Sequence, residues 1–277
     1  MRNTLIDAYG YQDANITVLR DDDKNRLPTK ANILAALNAV IAASAAEDTL
    51  WVHYSGHGTQ IRDTTGTESD GLDECIVPCD YNKAGFIDDN TLRNIIALAK
   101  CQMMLCFDSC HSGTVCDLQY SMNYSNGSIS TVVNNTKSIA DTNIVMLSGC
   151  RDAQTSADAY NSFSQQGVGA FTISLLETLR ASDHNVDLMT LYKNLCSNIA
   201  KSRFSQIPVL SSTVANPSYQ FAKANANGSA VIAGSASSVP ATLAKKDGNV
   251  AVDAPVFPKQ IVTRKVNGLM GSVFAKK

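Results

Sequence analysis

A chain of 277 residues with 44% hydrophobic and 17% charged residues can bury a full-sized core, which excludes disorder throughout. Its net charge of −2 hides an asymmetry, because the residues from Lys223 onward carry +6 and the rest carry −8. An acidic body argues against a nucleic-acid-binding core and suits a cation, either a metal ion or a basic substrate side chain. We expect one domain over residues 1–221 and a weakly ordered basic tail over residues 222–277.

Apolar strands alternate with helices along the body of the chain. The strands are rich in β-branched and aromatic residues, and the first helix has Thr29 as its N-cap and apolar residues at helical spacing. This alternation predicts an α/β fold with a mostly parallel sheet that helices cover on both faces. The predicted strands are 15–19, 49–54, 102–107 and 143–147, and the predicted helices are 30–43, 91–100, 169–180 and 188–201.

Parallel sheets place their chemistry just past the carboxyl ends of the strands. Two loops meet that condition here: S-G-H-G at residues 55–58 and D-S-C-H-S-G at residues 108–113. Cys110 is a useful nucleophile only as a thiolate, and His57 can serve as its base near neutral pH. Glycines on both sides of His57 let the backbone approach a substrate. The two loops therefore predict a cysteine–histidine site if their strands are neighbours.

Other interpretations of these residues stay open. A strand-end cysteine or an S-G-H-G turn taken alone is often only structural. His111 adjoins Cys110, but neighbouring side chains usually point apart, and His53 lies inside a strand as a core histidine. A zinc site from Cys101, Cys106, Cys110 and His111 would need an uncommon spacing.

An acidic cluster precedes and follows the cysteine loop. Uncompensated carboxylates repel one another unless they are solvated or bridged by a hard cation, and calcium takes 6–8 oxygen ligands. The spacing is not that of an EF-hand loop, so these residues alone favour a solvated acidic loop. The carboxylates are Asp70, Asp73, Glu74, Asp80, Asp88, Asp89 and Asp117.

The eight cysteines mostly lie in or beside apolar runs, where a cysteine behaves as a small buried hydrophobe. The N-terminal M-R-N-T-L-I-D-A-Y-G-Y-Q has no apolar signal-peptide core, and no apolar run approaches the 18 residues of a membrane span. We therefore expect reduced thiols in an intracellular, cytoplasmic protein.

Three linked motifs resemble those of the metacaspases, the caspase-like cysteine peptidases of protozoa, fungi and plants. They are Y-S-G-H-G, D-S-C-H-S-G about fifty residues later, and S-G-C-R-D-A-Q-T-S-A-D-A at residues 148–159. The match spans residues 11–220. The chain is similar to type I members, because no long linker separates the last two motifs. Its first residues are similar to those of trypanosomatid members. The resemblance implies a three-layer caspase/hemoglobinase sandwich fold. It also implies that the protein acts on other proteins and is monomeric.

The resemblance also implies the roles of particular residues. Cys110 would be the nucleophile, His57 the general base, and the backbone N–H groups of Gly58 and Cys110 the oxyanion hole. Cleavage would follow Arg or Lys, with Asp108 in the specificity pocket and Ser55 at its wall. A partly desolvated carboxylate beside a thiolate pairs with a guanidinium and rejects acidic side chains, although Asp108 could instead cap the following turn.

The same resemblance implies calcium as cofactor. Metacaspases are typically calcium-activated, and the matching positions here are Asp73, Asp88, Asp89 and Asp117. Cleavage after basic residues further predicts autoprocessing within the tail. The candidate self-cleavage sites are Lys245-Lys246 and Arg264-Lys265.

One part of the family pattern is absent. The first strand and a G-C-x-x-D motif that completes the pocket would precede the M-R-N-T-L-I-D-A-Y-G-Y segment. Loss of a strand from within the sheet would leave unpaired backbone groups. A second hypothesis is therefore a catalytically impaired relative that binds calcium or a partner, and the presence of both Cys110 and His57 favours the peptidase.

Overall fold

The computed structural model describes residues 1–66, 68, 70–125, 127–134, 139, 142–150, 169–201, 206–224 and 271–276. The helices in this part of the chain are α1 Arg2–Asp7, α2 Lys30–Ala42, α3 Tyr81–Ala84, α4 Asp89–Ile96, α5 Ala170–Ala181 and α6 Leu188–Lys201, with a short 3₁₀ helix at Asp13–Asn15. The strands are β1 Ile16–Arg20, β2 Thr49–Ser55, β3 Gly58–Arg62, β4 Leu72–Ile76, β5 Ile87–Asp88, β6 Gln102–Asp108, β7 Tyr120–Ser125, β8 Ser128–Val133, β9 Ile144–Ser148, β10 Val186–Asp187, β11 Val209–Ser212, β12 Gln220–Phe221 and β13 Gly271–Lys276.

Eight of these strands form one sheet in the order β1-β13-β2-β6-β9-β11-β7-β8. The central strands β2, β6 and β9 pair in parallel, and β13, β11 and β8 run opposite to their neighbours. Five of the eight strands therefore point the same way, which confirms the predicted α/β fold with a mostly parallel central sheet. A small sheet of β3, β4 and β5 lies beyond the end of β2.

Helices cover both faces of the large sheet, and the alternation of side chains along β2 shows how. Trp51 belongs to one apolar cluster, with residues of α1, α5 and α6, whereas its neighbours Leu50 and Val52 belong to the other, with residues of α2 and α4. A strand buried on both faces must be apolar at every position. The result is the predicted three-layer sandwich.

The predicted elements correspond to observed ones, with shifts at their ends. Thr29 caps α2 as expected, since its hydroxyl accepts a hydrogen bond from the N–H of Asn32 at 3.2 Å. The helix predicted at 91–100 begins earlier, because the carboxylate of Asp88 caps it and accepts from the N–H of Thr91 at 2.7 Å. None of the described helices is long and apolar enough to cross a membrane.

The tail prediction is wrong for one stretch. Gly271–Lys276 forms β13 between β1 and β2, antiparallel to both. Phe274 is 2% exposed in the apolar cluster that contains Leu37 and Val52. Two open strand edges favour any segment that can pair with both, which explains why this stretch is ordered. The rest of the predicted tail, apart from 222–224, lies outside the described residues.

Candidate active site

The two predicted loops lie side by side at one edge of the sheet. Strands β2 and β6 are neighbours in register, so that Ser55 stands opposite Asp108 at their carboxyl ends. The N–H of Gly56 then donates to the carbonyl of Asp108 at 3.2 Å. The two strands thus end at the same level, and the loops that carry His57 and Cys110 begin side by side.

The backbone of His57 is fixed by two donors. The hydroxyl of the buried Tyr54 donates to the carbonyl of His57 at 2.8 Å, and the N–H of Val77 donates to the same carbonyl at 3.1 Å. The imidazole is half-buried, and burial lowers its pKa below the ordinary value. The lowered pKa favours the neutral imidazole at neutral pH.

Gly58 contacts the backbone of Cys110 directly. A Cβ at position 58 would lie 1.8 Å from the carbonyl oxygen of Cys110 and 2.9 Å from its carbonyl carbon. Only glycine fits at this distance. The contact brings together the two residues whose N–H groups were predicted to form the oxyanion hole, and it places the His57 turn against the Cys110 loop.

The loop after Cys110 is held by hydrogen bonds and contains two residues with positive φ. The hydroxyl of Ser112 donates to the carbonyl of Ser109 at 2.8 Å, and the hydroxyl of Thr114 donates to the carboxylate of Glu74 at 2.7 Å. His111 has φ of 50° and Asp117 has φ of 46°, the left-handed region that favours glycine. A strained, buried loop of this kind is characteristic of functional sites.

Asp108 is 2% exposed and its carboxylate meets the first turn of α5. Its Oδ2 accepts hydrogen bonds from the N–H of Thr172 at 2.9 Å and from the hydroxyl of Thr172 at 2.5 Å. Burial raises the pKa of Asp108, and the bonds from Thr172 oppose that rise. The alternative of a capping role therefore has a geometric basis, although the capped element is α5 and not the following turn.

His53 lies behind this pair. Its side chain is 5% exposed, and its Nε2 is 3.5 Å from the hydroxyl of Thr172. The sequence prediction of a core histidine is confirmed.

Three carboxylates converge beside the cysteine loop. Oxygens of Glu68, Asp89 and Asp117 lie within 4.8 Å of one another. Burial and the neighbouring charges of Asp117 and Asp89 raise the pKa of Glu68 to about 8, and burial and Asp117 raise the pKa of Asp89 to about 8. Clustered oxygens that resist ionisation without a counter-charge fit a hard divalent cation such as calcium.

Only two of the four predicted metal ligands belong to this cluster, Asp89 and Asp117. Asp73 is buried nearby and accepts a hydrogen bond from the side chain of Asn90 at 3.4 Å, while Asp88 caps α4. Among the described residues, the three-carboxylate cluster is the one group of close His, Cys, Asp and Glu side chains that could hold a metal. The alternative zinc set of Cys101, Cys106, Cys110 and His111 is not brought together.

Two residues of this edge were not predicted as site residues. Glu68 lies in the loop between β3 and β4 and completes the carboxylate cluster. It precedes Asp117 by 49 residues, and nothing in that spacing indicates that the two side chains lie close together. Cys150 follows β9, and its thiol is hydrogen-bonded to that of Cys110. A signal for Cys150 did exist, since it lies just past the carboxyl end of the third strand of the parallel set.

A half-exposed cysteine and a half-buried histidine on adjacent loops at the carboxyl edge of a mostly parallel sheet resemble the site of a caspase-like cysteine peptidase. The comparisons with known proteins agree. Residues 1–119 match the family model of the metacaspase peptidase C14 domain. The chain is 32% identical to Metacaspase-1 of Mycosarcoma maydis over 74% of this chain and 62% of that protein. It is 30% identical to Metacaspase-1 of Yarrowia lipolytica over 77% of this chain and 56% of that protein.

The chain is therefore similar to the metacaspases over about three quarters of its length. It spans about three fifths of the length of the curated relatives that it matches, or somewhat less. The activity, the substrates and the partners of the whole protein are therefore matters for proposal.

Proposed function

We propose that this chain is a calcium-dependent cysteine endopeptidase that cleaves after Arg or Lys through a Cys110–His57 dyad. The observation that carries the proposal is the direct backbone contact between Gly58 and Cys110 at the shared ends of β2 and β6. That contact brings the His57 and Cys110 loops, which are about fifty residues apart in the sequence, into a single site.

The reaction uses groups at this edge alone. The Cys110 thiol passes its proton to His57, and the thiolate attacks the peptide carbonyl to form a tetrahedral adduct. The N–H groups of Gly58 and Cys110 donate to the oxyanion. His57 then gives its proton to the leaving amine, and water deprotonated by His57 releases the acyl group from Cys110. The lowered pKa of His57 keeps it unprotonated before the first step.

Specificity for a basic side chain is supported by Asp108 and Ser55. They stand opposite each other at the strand ends, beside the nucleophile loop. Burial of the Asp108 carboxylate raises its pKa, and a guanidinium or ammonium group placed against it would offset that cost. An acidic side chain would add a second unpaired charge and be rejected.

Calcium dependence is supported by how the carboxylate cluster connects to the nucleophile loop. Asp89 accepts from the N–H of Glu74 at 2.8 Å, and Glu74 in turn holds the hydroxyl of Thr114. The N–H of Asp117 donates to the carbonyl of Thr114 at 2.6 Å. Glu68, Asp89 and Asp117 would hold the ion, whose charge would offset their mutual repulsion; Asp73 and Asp88 are the further ligands that the family implies. Relief of that repulsion would order the loop that carries Cys110.

The test is hydrolysis of a fluorogenic peptide with Arg at P1, with and without millimolar calcium, beside the same peptide with Asp. We expect calcium-dependent cleavage of the Arg peptide only. Cys110→Ala should lower the rate by about 10³-fold or more, whereas Cys79→Ser, which changes an exposed thiol, should not change it. Asp108→Asn should reduce cleavage of the Arg peptide without creating cleavage of the Asp peptide.

Cleavage of the Asp peptide, or activity that survives Cys110→Ala, would contradict the proposal. A folded sample that binds calcium and cleaves neither peptide would instead favour the second hypothesis, a binding member of the family. Intact mass before and after calcium addition tests autoprocessing at Lys245-Lys246 and Arg264-Lys265, which lie outside the described residues. Light scattering tests the proposed monomer.

A further inference from the structure

A second cysteine, Cys150, lies two residues past the end of β9, the strand beside β6. Strands β6 and β9 are parallel neighbours with Phe107 opposite Ser148, and the N–H of Gly149 donates to the carbonyl of Phe107 at 2.9 Å. Cys110 follows the first strand and Cys150 the second. Adjacent parallel strands therefore deliver two thiols to the same edge of the sheet.

The two thiols are in contact. The side chain of Cys150 is 5% exposed and is hydrogen-bonded to Cys110, which is half-exposed. The side chain of Gln206 also hydrogen-bonds to Cys150. The hydrogen bond to Cys110 and burial both raise the pKa of Cys150, so Cys150 keeps its proton while Cys110 is the thiol that solvent reaches. The peptidase mechanism above has no use for this second thiol.

We propose that Cys150 is a resolving cysteine, which forms a reversible disulfide with Cys110 when the protein meets hydrogen peroxide. The proposal rests on the assignment of Cys110 as the reactive thiol of the proposed peptidase. It gives the buried partner a role that packing does not require: it stops oxidation of the nucleophile at a stage that a thiol reductant can reverse.

The chemistry balances with hydrogen peroxide as the oxidant. The Cys110 thiolate attacks one peroxide oxygen, so that an S–O bond forms, the O–O bond breaks and the released hydroxide takes up a proton as water. The Cys150 sulfur then loses its proton and attacks the sulfenic sulfur of Cys110, so that an S–S bond forms and the S–O bond breaks with loss of a second water. Two thiols are oxidised, and one peroxide is reduced to two waters.

The local setting favours this pair over the other cysteines. All eight cysteines lie in the described residues, and none of them is in a disulfide bond. Cys106 and Cys116 are buried within the two apolar clusters, Cys106 in the cluster that contains Trp51 and Cys116 in the cluster that contains Leu50. Cys79 is exposed and therefore accessible to peroxide, which makes it the matched control for accessibility alone.

The experiment measures the bond itself. The full chain is treated with hydrogen peroxide, denatured, alkylated at its remaining thiols and digested with trypsin. Residues 138–151 then form a peptide whose one cysteine is Cys150. We expect this peptide to be joined to the peptide that contains Cys110, with loss of two hydrogens, and to be freed by dithiothreitol. Cys110→Ser should abolish the joined species, and Cys79→Ser should leave it unchanged.

A second readout follows the fate of the nucleophile. In Cys150→Ser, peroxide should oxidise Cys110 to the sulfinic acid, which dithiothreitol does not reduce. The fraction of its starting activity that this variant recovers with dithiothreitol should be about tenfold smaller than the fraction that the unmodified chain recovers. Sulfinic acid at Cys110 in the unmodified chain without the joined peptide would overturn the proposal, as would equal recovery in Cys150→Ser. The joined peptide is detected by mass, so its formation in a sample that cleaves no substrate would contradict only the peptidase proposal.

Discussion

Gly58 and Cys110 touch through their backbones, so closely that a methyl group on Gly58 would overlap the carbonyl oxygen of Cys110 at 1.8 Å. Gly58 begins β3 and pairs with Ile76 of β4, while Cys110 lies in the loop after β6. The contact therefore joins the small sheet to the large one at the site. Any displacement here moves the histidine loop and the nucleophile loop relative to each other.

Gly58→Ala should inactivate the site without unfolding the protein. We expect kcat/KM for the Arg peptide to fall by about 10²-fold or more, because a displacement of about 1 Å is enough to misalign nucleophile and base. Gly127→Asn is the control: Gly127 has φ of 82° and open space around it, and asparagine tolerates that conformation. Circular dichroism checks that both variants are folded. A Gly58→Ala protein with activity close to that of the unmodified chain would show that the contact does not position the site.

Phe274 tests the contribution of β13 to stability. The side chain is 2% exposed between the sheet and α2, so Phe274→Ala should lower the free energy of unfolding by about 3–5 kcal/mol. Lys276 ends the same strand with an ion pair to Asp48 at 3.0 Å, and Lys276→Ala should cost about 1 kcal/mol or less. Denaturant unfolding of the two variants checks the difference. Equal and small effects would mean that the strand is dispensable.

The sequence was sufficient for the parts of the site that follow from strand order. Apolar runs predicted β2, β6 and β9, and the rule that parallel sheets act at their carboxyl ends selected His57 and Cys110 before any contact was known. The contacts that fix these residues could not be predicted. They depend on the register of Ser55 with Asp108 and on the approach of Gly58, which only the folded backbone determines.

The elements that escaped prediction are those that arrive from distant sequence. β13 is six residues long and follows a stretch with little periodicity. Its pairing therefore depends on the open edges of β1 and β2 and not on its own composition. Glu68 reaches Asp117 across another loop, and acidic spacing does not encode that approach. Cys150 could have been predicted, because it lies two residues past the end of β9, just as Cys110 lies two residues past the end of the parallel strand β6.

His53 makes the stability of the protein sensitive to acid. Burial lowers the pKa of His53 to about 3, whereas an unfolded histidine titrates near about 6.5. Because the folded pKa is the lower one, the stability is present above about pH 6.5 and is lost as the pH falls towards 3. Relative to His53→Gln, the unmodified chain should lose up to about 1.4 kcal/mol of unfolding free energy per pH unit between about pH 6 and 4.

Denaturant unfolding at a series of pH values measures this difference. His184→Gln, at a partly exposed histidine, is the control and should show a smaller slope. If the free energies of unfolding of the unmodified chain and of His53→Gln change with pH in parallel, water reaches the buried ring, directly or after a rearrangement.

Calcium binding distinguishes the cluster in the structure from the ligands that the sequence implied. Glu68 lies in the cluster with Asp89 and Asp117, whereas Asp88 caps α4. In a Cys110→Ala background, which prevents self-cleavage, Glu68→Gln should weaken calcium binding by about tenfold or more, and Asp88→Asn should weaken it less. Isothermal titration calorimetry measures both affinities.

The pH dependence of that binding supplies an independent check. Burial and the neighbouring carboxylates raise the pKa values of Glu68 and Asp89, so the metal-free cluster holds protons at a higher pH than isolated carboxyls do. Calcium must displace those protons, and its apparent affinity should therefore rise as the pH increases from about 6 to 8. Glu68→Gln removes one of the competing protons and should flatten the rise, whereas Asp88→Asn should retain it. A larger loss of affinity in Asp88→Asn than in Glu68→Gln would assign the ion to the ligands that the family resemblance implied.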